Sequence, residues 1–203
     1  MTVTALRQTS PDGVTVCLSD GAEIRATLNV VADLRLYVGC ELEEEALRKL
    51  REASSLALTK KRALELLSQR TMSGRELYDK LLRKGEAEEN AAAAVRWLFD
   101  NRLLDDEGYA AAVVRHYAAK GYGAGRIRQE LFRRGIEREL WDAALEEQPD
   151  GREQLDKFIA ARLRDPKDRE QVRKVSAALF RRGFSWEEIR SALRRYSVEP
   201  EDE

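Results

Sequence analysis

The sequence Leu-Leu-Arg-Lys-Gly at residues 81–85 decides the fold, because the chain repeats it twice. It returns as Leu-Phe-Arg-Arg-Gly at residues 131–135 and again at residues 179–183, so the three glycines lie 50 and 48 residues apart. An amphipathic helical stretch precedes each copy of this pentapeptide, and a second helical stretch, which carries a tryptophan, follows it. A nearly constant period of this length is typical of tandem structural repeats.

The pentapeptide has the composition of a helix end. Its two large apolar residues are predicted to close the core-facing stripe of a helix, and its two cations then occupy the last turn, near the unpaired carbonyls and the negative end of the helix dipole. The glycine stands where the backbone turns left-handed to leave the helix. A cap needs only one cation, so the paired charges leave room for a second role in binding.

The charges of the chain are balanced overall but separated along the sequence. There are 36 basic and 37 acidic residues, for a net charge of −1. Residues 59–196 hold 30 Lys/Arg against 24 Asp/Glu, whereas the two flanks hold 6 against 13. A moderately basic middle between acidic ends suggests an anionic partner, but the excess is smaller than in a dedicated nucleic-acid-binding protein.

The sequence predicts a cytoplasmic location. The longest apolar run, residues 109–114, is too short to span a bilayer, and the N-terminus lacks the basic start and long apolar stretch of a signal peptide. Cys17 and Cys40 could form a disulfide, but in a protein without export signals we expect two packed, reduced thiols.

Residues 1–58 are predicted to form a small β unit and a linking helix. Stretches rich in β-branched residues at 14–18 and 23–28 flank the hairpin turn signal Asp20-Gly21, and residues 2–8 could add a third strand. The pattern at residues 30–38 is ambiguous. Acidic residues come first and basic residues later from 43 to 57, as a helix dipole favours.

The remainder is predicted to form three repeats of three helices each, at residues 59–104, 105–148 and 149–196, followed by a disordered acidic tail at 197–203. Ser73 and Ser185 each have a glutamate three residues later and begin helices with a capping box, while Asp105 and Asp106 begin another. The predicted fold is therefore mainly α, with the repeats stacked into an elongated, curved body beside the N-terminal β-hairpin.

Neither catalysis nor metal binding has a clear set of residues. The only histidine, His116, has no cysteine or second histidine at ligand spacing, so we expect a packed or surface residue and no cofactor. The glycine-rich residues 121–125 lack the Lys-Ser/Thr of a phosphate-binding loop and a preceding strand. A helix-to-helix turn is favoured there, with anion binding by the free amides of the helix start as the alternative.

The three tryptophans, Trp97, Trp141 and Trp186, lie at different distances from the repeat glycines. That irregular placement favours filling of the core over a platform on which nucleic-acid bases could stack.

The sequence resembles the RecX regulatory proteins. The resemblance is carried by Leu-Leu-Asp-Asp at 103–106, Lys-Gly-Tyr-Gly at 120–123, Arg-Ile-Arg-Gln-Glu-Leu at 126–131, and Ser-Gly-Arg-Glu-Leu at 73–77 before the first pentapeptide. It covers roughly residues 60–196. Ala124 departs from the family pattern, which commonly has proline there, and the third repeat matches mainly through its pentapeptide.

The resemblance implies a non-enzymatic regulator, most simply a monomer, that docks along the groove of the RecA–single-stranded-DNA filament. Such proteins typically suppress the ATPase, strand-exchange and co-protease activities of RecA, and a weak direct contact with DNA is compatible with this. The predicted contacts are the cations of the pentapeptides and of the segment from 120 to 128, together with one tyrosine: Arg83, Lys84, Lys120, Tyr122, Arg126, Arg128, Arg133, Arg134, Arg181 and Arg182.

Three other functions remain open from the sequence. A DNA-binding module with helix-turn-helix-like units would bind DNA without RecA and with a steep salt dependence. A general helical-repeat scaffold would have an unrelated partner and no effect on RecA turnover. An enzyme with a site assembled from scattered carboxylates comes last.

Overall fold

The computed structural model describes residues 1–147 and 151–196, so the acidic tail predicted at 197–203 lies outside the described residues. A small sheet comes first, and helices follow it. The strands are β1 Val3–Gln8, β2 Gly13–Leu18 and β3 Glu23–Thr27. The helices are α1 Leu28–Asp33, α2 Glu44–Gln69, α3 Gly74–Arg83, α4 Glu88–Asp100, α5 Asp106–Ala119, α6 Ala124–Arg133, α7 Trp141–Glu146, α8 Arg152–Ala160, α9 Arg169–Arg181 and α10 Trp186–Arg194, with a 3-10 turn at Arg138–Leu140. The predicted class, mainly α with a small N-terminal β segment, is confirmed.

The sheet is antiparallel, in the order β1-β2-β3. Gly21 has a φ of +86° in the turn between β2 and β3, as the Asp-Gly signal predicts. The predicted third strand is present as β1, and the ambiguous stretch after the sheet begins with α1. One face of the sheet packs on α2, where Val16 and Leu50 are fully buried. Cys17 and Cys40 are buried free thiols, which confirms the prediction of packed, reduced cysteines.

Helix α2 joins two elements that the sequence analysis separates. The linking helix predicted at 43–57 and the first helix of the first repeat form one helix of 26 residues. The boundary predicted between residues 58 and 59 therefore lies inside α2. No glycine or proline interrupts this stretch, and the buried Thr59 keeps its hydroxyl bonded to the Ser55 carbonyl at 3.0 Å within the helix.

The chain divides into two compact units. The first contains Met1–Thr71 and Glu76–Leu104, and the second contains Met72–Arg75 and the described residues from Asp105 onward. In the first unit, α4 packs on α2. In the second unit, α5, α6 and α7 surround Ile127 and Leu131, while α8, α9 and α10 surround a separate core that includes Ile159 and Leu179. Within the described residues, no helix is both long and apolar enough to cross a membrane.

All three pentapeptides end helices in the same way. Their glycines have φ values of +85°, +65° and +89° at residues 85, 135 and 183. In each copy the glycine amide donates to the carbonyl of the second residue of the pentapeptide. The amide of the residue after the glycine donates to the carbonyl of the first residue, and all six distances are 2.8–3.3 Å. This pair of bonds is the Schellman motif, in which a left-handed residue ends a helix. The prediction of three glycine caps is confirmed.

The apolar pair of the pentapeptide does not act as a pair. The first residue of each copy, Leu81, Leu131 or Leu179, is fully buried, whereas Phe132 is 65% exposed and Phe180 is 51% exposed. Successive helical residues differ by about 100° around the axis, so the stripe that buries the leucine turns the next side chain outward. The prediction that both residues face the core is therefore wrong for the two phenylalanines.

Two of the predicted helix starts are confirmed, and Asp106 has a different partner. Ser185 and Glu188 form the reciprocal capping box that begins α10, and the Asp105 carboxylate accepts from the Gly108 amide at 2.9 Å. The Asp106 carboxylate accepts instead from the Gly74 amide at 2.9 Å. Burial raises the pKa of Asp106, and this effect outweighs the bond from Gly74.

Candidate partner-binding surface

The glycine-rich segment at 121–125 is a joint between two helices. The amides of Gly123 and Gly125 donate to the carbonyls of Arg182 and Gly183, both at 2.9 Å. The positive start of α6 thus meets the negative end of α9. The predicted helix-to-helix turn is confirmed. The anion-binding alternative is wrong, because backbone carbonyls already occupy these two amides.

Glycine is required on both sides of this joint. A Cβ on Gly123 would lie 2.5 Å from the Gly183 carbonyl oxygen, and a Cβ on Gly183 would lie 2.1 Å from the Arg126 amide nitrogen. Real Cβ atoms do not approach backbone this closely, so a larger residue forces the two helices apart. Gly183, one of the three repeat glycines, therefore has a packing role in addition to its role in turning the chain, and Gly123 has the packing role alone.

Arg182 and Tyr122 hold this joint together. The Arg182 guanidinium donates to the carbonyls of Gly121 at 3.1 Å and Lys120 at 3.3 Å. It also lies 5.3 Å from the ring centre of Tyr122 and 4.8 Å from that of Phe158. A cation between two rings and two carbonyls stabilises the fold. Of the predicted contact residues, these two have a structural role in the second unit.

Arg134, the equivalent of Arg182 in the second repeat, also turns inward. Its guanidinium donates to the Tyr109 hydroxyl at 2.5 Å and lies 5.8 Å from the Tyr109 ring centre. Burial opposes the charged form, but hydrogen bonds to Tyr117 and Tyr109 outweigh burial and raise the pKa of Arg134. The second cation of both later pentapeptides is therefore part of the packing.

The first cation of every pentapeptide faces solvent. Arg83, Arg133 and Arg181 are exposed at equivalent positions of three equivalent helix ends, and Lys84 is exposed beside the first of them. Arg133 lies 3.1 Å from the buried Glu130. In the described part of the chain, Arg83, Lys84 and Arg181 form no ion pair. These outward cations are the part of the predicted site that is open to a partner.

The three predicted cations near the joint differ in burial and in the contacts that hold their side chains. Arg126 is half-buried and bonds Glu130 at 3.1 Å. Arg128 is exposed and lies 4.0 Å from Asp142, and the exposed Lys120 lies 5.8 Å from the Tyr117 ring centre. Lys120 and Arg128 can therefore reach a partner, whereas Arg126 is held by its own helix.

The basic excess is uneven along the repeats. Residues 151–196 contain 13 Lys/Arg against 7 Asp/Glu, and residues 59–104 contain 10 against 7. Residues 105–147 are slightly acidic, with 7 against 9. Attraction to an anionic partner is thus expected mainly from the first and third repeats.

Exposed aromatic rings were missed in the sequence analysis. Trp186 is 50% exposed and stacks on Phe180, with ring centres 5.1 Å apart and planes at 19°. Core filling is therefore the wrong interpretation of Trp186. Trp141 is half-buried, and its Nε1 donates to the Ile136 carbonyl at 3.0 Å. The available signal was the spacing, because Trp186 follows its repeat glycine by three residues and Trp141 by six.

The described residues contain no cluster of three or more His, Cys, Asp or Glu side chains that could hold a metal ion. His116 is exposed, and its ring contacts the edge of Tyr117 at a centre-to-centre distance of 5.4 Å. This geometry gives the single histidine a surface position.

Family comparisons match the second and third repeats. Residues 105–145 match the model for the second three-helix domain of RecX, and residues 151–193 match that for the third. The regulatory protein RecX of Vibrio campbellii is 36% identical over 150 residues, which is 71% of this chain and 93% of that protein. The chain belongs to the RecX family.

Other RecX proteins support this membership. The RecX of Xanthomonas citri is 42% identical over 136 residues, covering 66% of this chain and 84% of that protein. A crystal structure of regulatory protein RecX superposes with a TM-score of 0.77 at 25% identity, over 96% of this chain and 98% of that one. The chain is accordingly a regulatory protein and not an enzyme.

Proposed function

We propose that this protein binds the RecA–single-stranded-DNA filament in the cytoplasm and inhibits its ATPase, strand-exchange and co-protease activities. The observation that carries the proposal is the outward cation at three equivalent helix ends, Arg83, Arg133 and Arg181, in a member of the RecX family. Charges repeated on successive structural units suit a partner that is itself a regular, anionic polymer.

The proposed contact surface is narrower than the predicted one. It contains the exposed cations Lys84, Lys120 and Arg128 together with the three first cations of the pentapeptides. Arg126, Arg134, Arg182 and Tyr122 support it from within the fold. An exposed charge contributes little alone, about 0–1 kcal/mol, so the surface acts through the sum of its cations.

An ATPase titration tests the proposal. The protein is added to RecA on single-stranded DNA, and the triple variant Arg83→Glu, Arg133→Glu, Arg181→Glu is compared with the wild type. We expect the wild type to inhibit the ATPase. Because the triple variant reverses three charges of the proposed surface, it should need at least a tenfold higher concentration for half-inhibition.

The matched control changes the same number of exposed charges elsewhere. Arg25→Glu, Arg51→Glu, Arg96→Glu has the same net charge, and we expect it to inhibit like the wild type. Equal inhibition by both triple variants would contradict the proposed surface, and no inhibition by the wild type would contradict the function. Tight, salt-sensitive binding to DNA without RecA would favour the DNA-binding module, to which the basic third repeat could contribute.

A further inference from the structure

The second and third repeats differ at one position beside their exposed phenylalanines. Phe132 and Phe180 occupy the same place in their pentapeptides, and the buried Ile136 and Phe184 follow the two glycines. The next helical segment then begins three residues after the glycine. In the third repeat its first residue is Trp186, which covers the Phe180 ring, and in the second repeat it is Arg138.

A cleft of about 510 Å³ lies beside Phe132 and Arg138, the residues of the second repeat that correspond in sequence to Phe180 and Trp186. The Trp141 ring forms one wall and is fixed by the bond from its Nε1 to the Ile136 carbonyl. The Arg138 guanidinium lies 5.8 Å from the Trp141 ring centre. The cleft is lined by Phe132, Gly135, Ile136, Glu137, Arg138, Glu139 and Trp141. It is thus a shallow aromatic site with charged edges.

We propose that this cleft binds an aromatic side chain of a protein partner, in the position that Trp186 occupies on Phe180. The third repeat shows the fitting occupant, a planar ring stacked on the phenylalanine with its centre about 5 Å away. Assigning that ring to a RecA subunit rests on the function proposed above. Buried aromatic side chains are frequent anchors of protein interfaces, which suits a cleft of this kind.

The charges at the cleft favour a protein ring over a nucleobase. Glu137 and Glu139 line it together with Arg138, so its carboxylates outnumber its guanidinium groups, and residues 105–147 are slightly acidic. A nucleobase would bring its phosphate close to these carboxylates, and their repulsion would oppose binding. An aromatic side chain carries no such charge.

The first test uses the indole N–H signal of Trp141 in ¹⁵N-labelled full-length protein, identified by its loss in Trp141→Phe. Millimolar N-acetyl-tryptophanamide should shift this signal, because Trp141 forms a wall of the cleft. Arg138→Trp should abolish the shift by filling the cleft with a ring, as Trp186 covers Phe180 in the third repeat, whereas the control Arg173→Trp, on the exposed surface of α9, should retain it.

Three results would overturn the cleft as a site for a partner's aromatic side chain. They are the absence of a probe-induced shift, an equal shift with thymidine monophosphate, and a shift that depends on protein concentration alone. The last would show that a second copy fills the cleft.

The second test measures binding to the RecA–single-stranded-DNA filament by fluorescence anisotropy. Phe132→Ala and Arg138→Trp should each weaken binding at least tenfold, while Trp186→Phe, which keeps the stacked pair in the third repeat, should bind like the wild type. Wild-type affinity in the first two variants would exclude RecA as the source of the ring and leave the proposed function intact. A wild-type protein that does not bind the filament would contradict the proposed function, and the indole signal would still decide the cleft.

Discussion

Helices α6 and α9 are equivalent in the repeat pattern, yet the backbone amides of their first turns have different hydrogen-bond acceptors. At the start of α6, the amides of Gly123 and Gly125 donate to the end of another helix. At the start of α9, the Asp168 carboxylate accepts from the amides of Glu170 at 2.9 Å and Gln171 at 3.1 Å. The start of α6 therefore packs on another repeat, whereas the start of α9 is capped by a side chain next to it in the sequence.

Gly183→Ala should have the largest effect, because it breaks the joint at the start of α6. The new methyl group would lie 2.1 Å from the Arg126 amide nitrogen, in a residue with a φ of +89°. We expect a loss of about 4 kcal/mol in the free energy of unfolding of the second unit. Amide hydrogen exchange in urea measures this value for each unit separately.

Gly85→Ala is the matched control for the joint. Gly85 has a φ of +85° at the equivalent cap, but a Cβ there would meet no atom within 4 Å. Only the left-handed backbone is then unfavourable, at about 1–2 kcal/mol in the first unit. Equal losses in the two variants would show that the close contact at Gly183 adds nothing to the cap.

Arg182→Ala tests the same joint by removing a side chain that holds it together. It removes two hydrogen bonds and two cation–ring contacts at the joint, so the second unit should lose about 1–2 kcal/mol. Arg181→Ala, one residue earlier and exposed, should change stability by less than about 0.5 kcal/mol. Urea unfolding of both variants measures the difference, and similar values would mean that Arg182 is not part of the joint.

The pH dependence of stability separates the self-capped start of α9 from Asp106. Hydrogen bonds from the backbone and side chain of Gln171 lower the pKa of Asp168. The stabilisation by Asp168 is therefore complete above the ordinary pKa of an aspartate and is lost as pH falls through its lowered value. Burial raises the pKa of Asp106. Protonation of Asp106 in the folded state therefore adds stability as pH falls below its raised value.

Two variants test these opposite signs through stability measured between pH 2 and 7. Asp168→Asn should flatten the acid loss of stability, and Asp106→Asn should make that loss steeper by removing an opposing contribution. The effect of each exposed or half-exposed group is small, so the difference between each variant and the wild type is the quantity to compare. A change of the same sign in both variants would contradict the assignment.

The sequence was sufficient to predict the helix caps but not to predict the contacts between repeats. The spacing of Gly85, Gly135 and Gly183 predicts three helix ends, because the left-handed position is a local requirement. That Gly183 also packs against Gly123 depends on two segments about 60 residues apart, and no local pattern encodes such a contact.

The sequence predicts which cations are available for the candidate site, but it does not predict which of them point to solvent. Both cations of a pentapeptide look alike in sequence, but a single residue, about 100° around the helix axis, separates the exposed Arg181 from Arg182, which contacts Tyr122 and Phe158. The exposed aromatic rings were missed for the same reason. For Phe132 the outward direction follows from helix geometry once Leu131 is known to be buried, because successive residues differ by about 100° around the axis.

Among the variants aimed at the joint, Ala124→Pro should have the smallest effect, and it tests whether the first turn of α6 can be made more rigid while the joint stays intact. Ala124 is the first residue of α6 after the cap Gly123, a position where proline fits because φ is already helical and the amide lacks an intrahelical acceptor. Loss of freedom in the unfolded chain should raise the free energy of unfolding by about 0.4–1 kcal/mol. The gain should disappear in the Gly183→Ala background if the joint itself positions this turn, and a purely local effect would persist there. Urea unfolding of the single and double variants decides between a turn that is preset by its own backbone and one that is set by the neighbouring repeat.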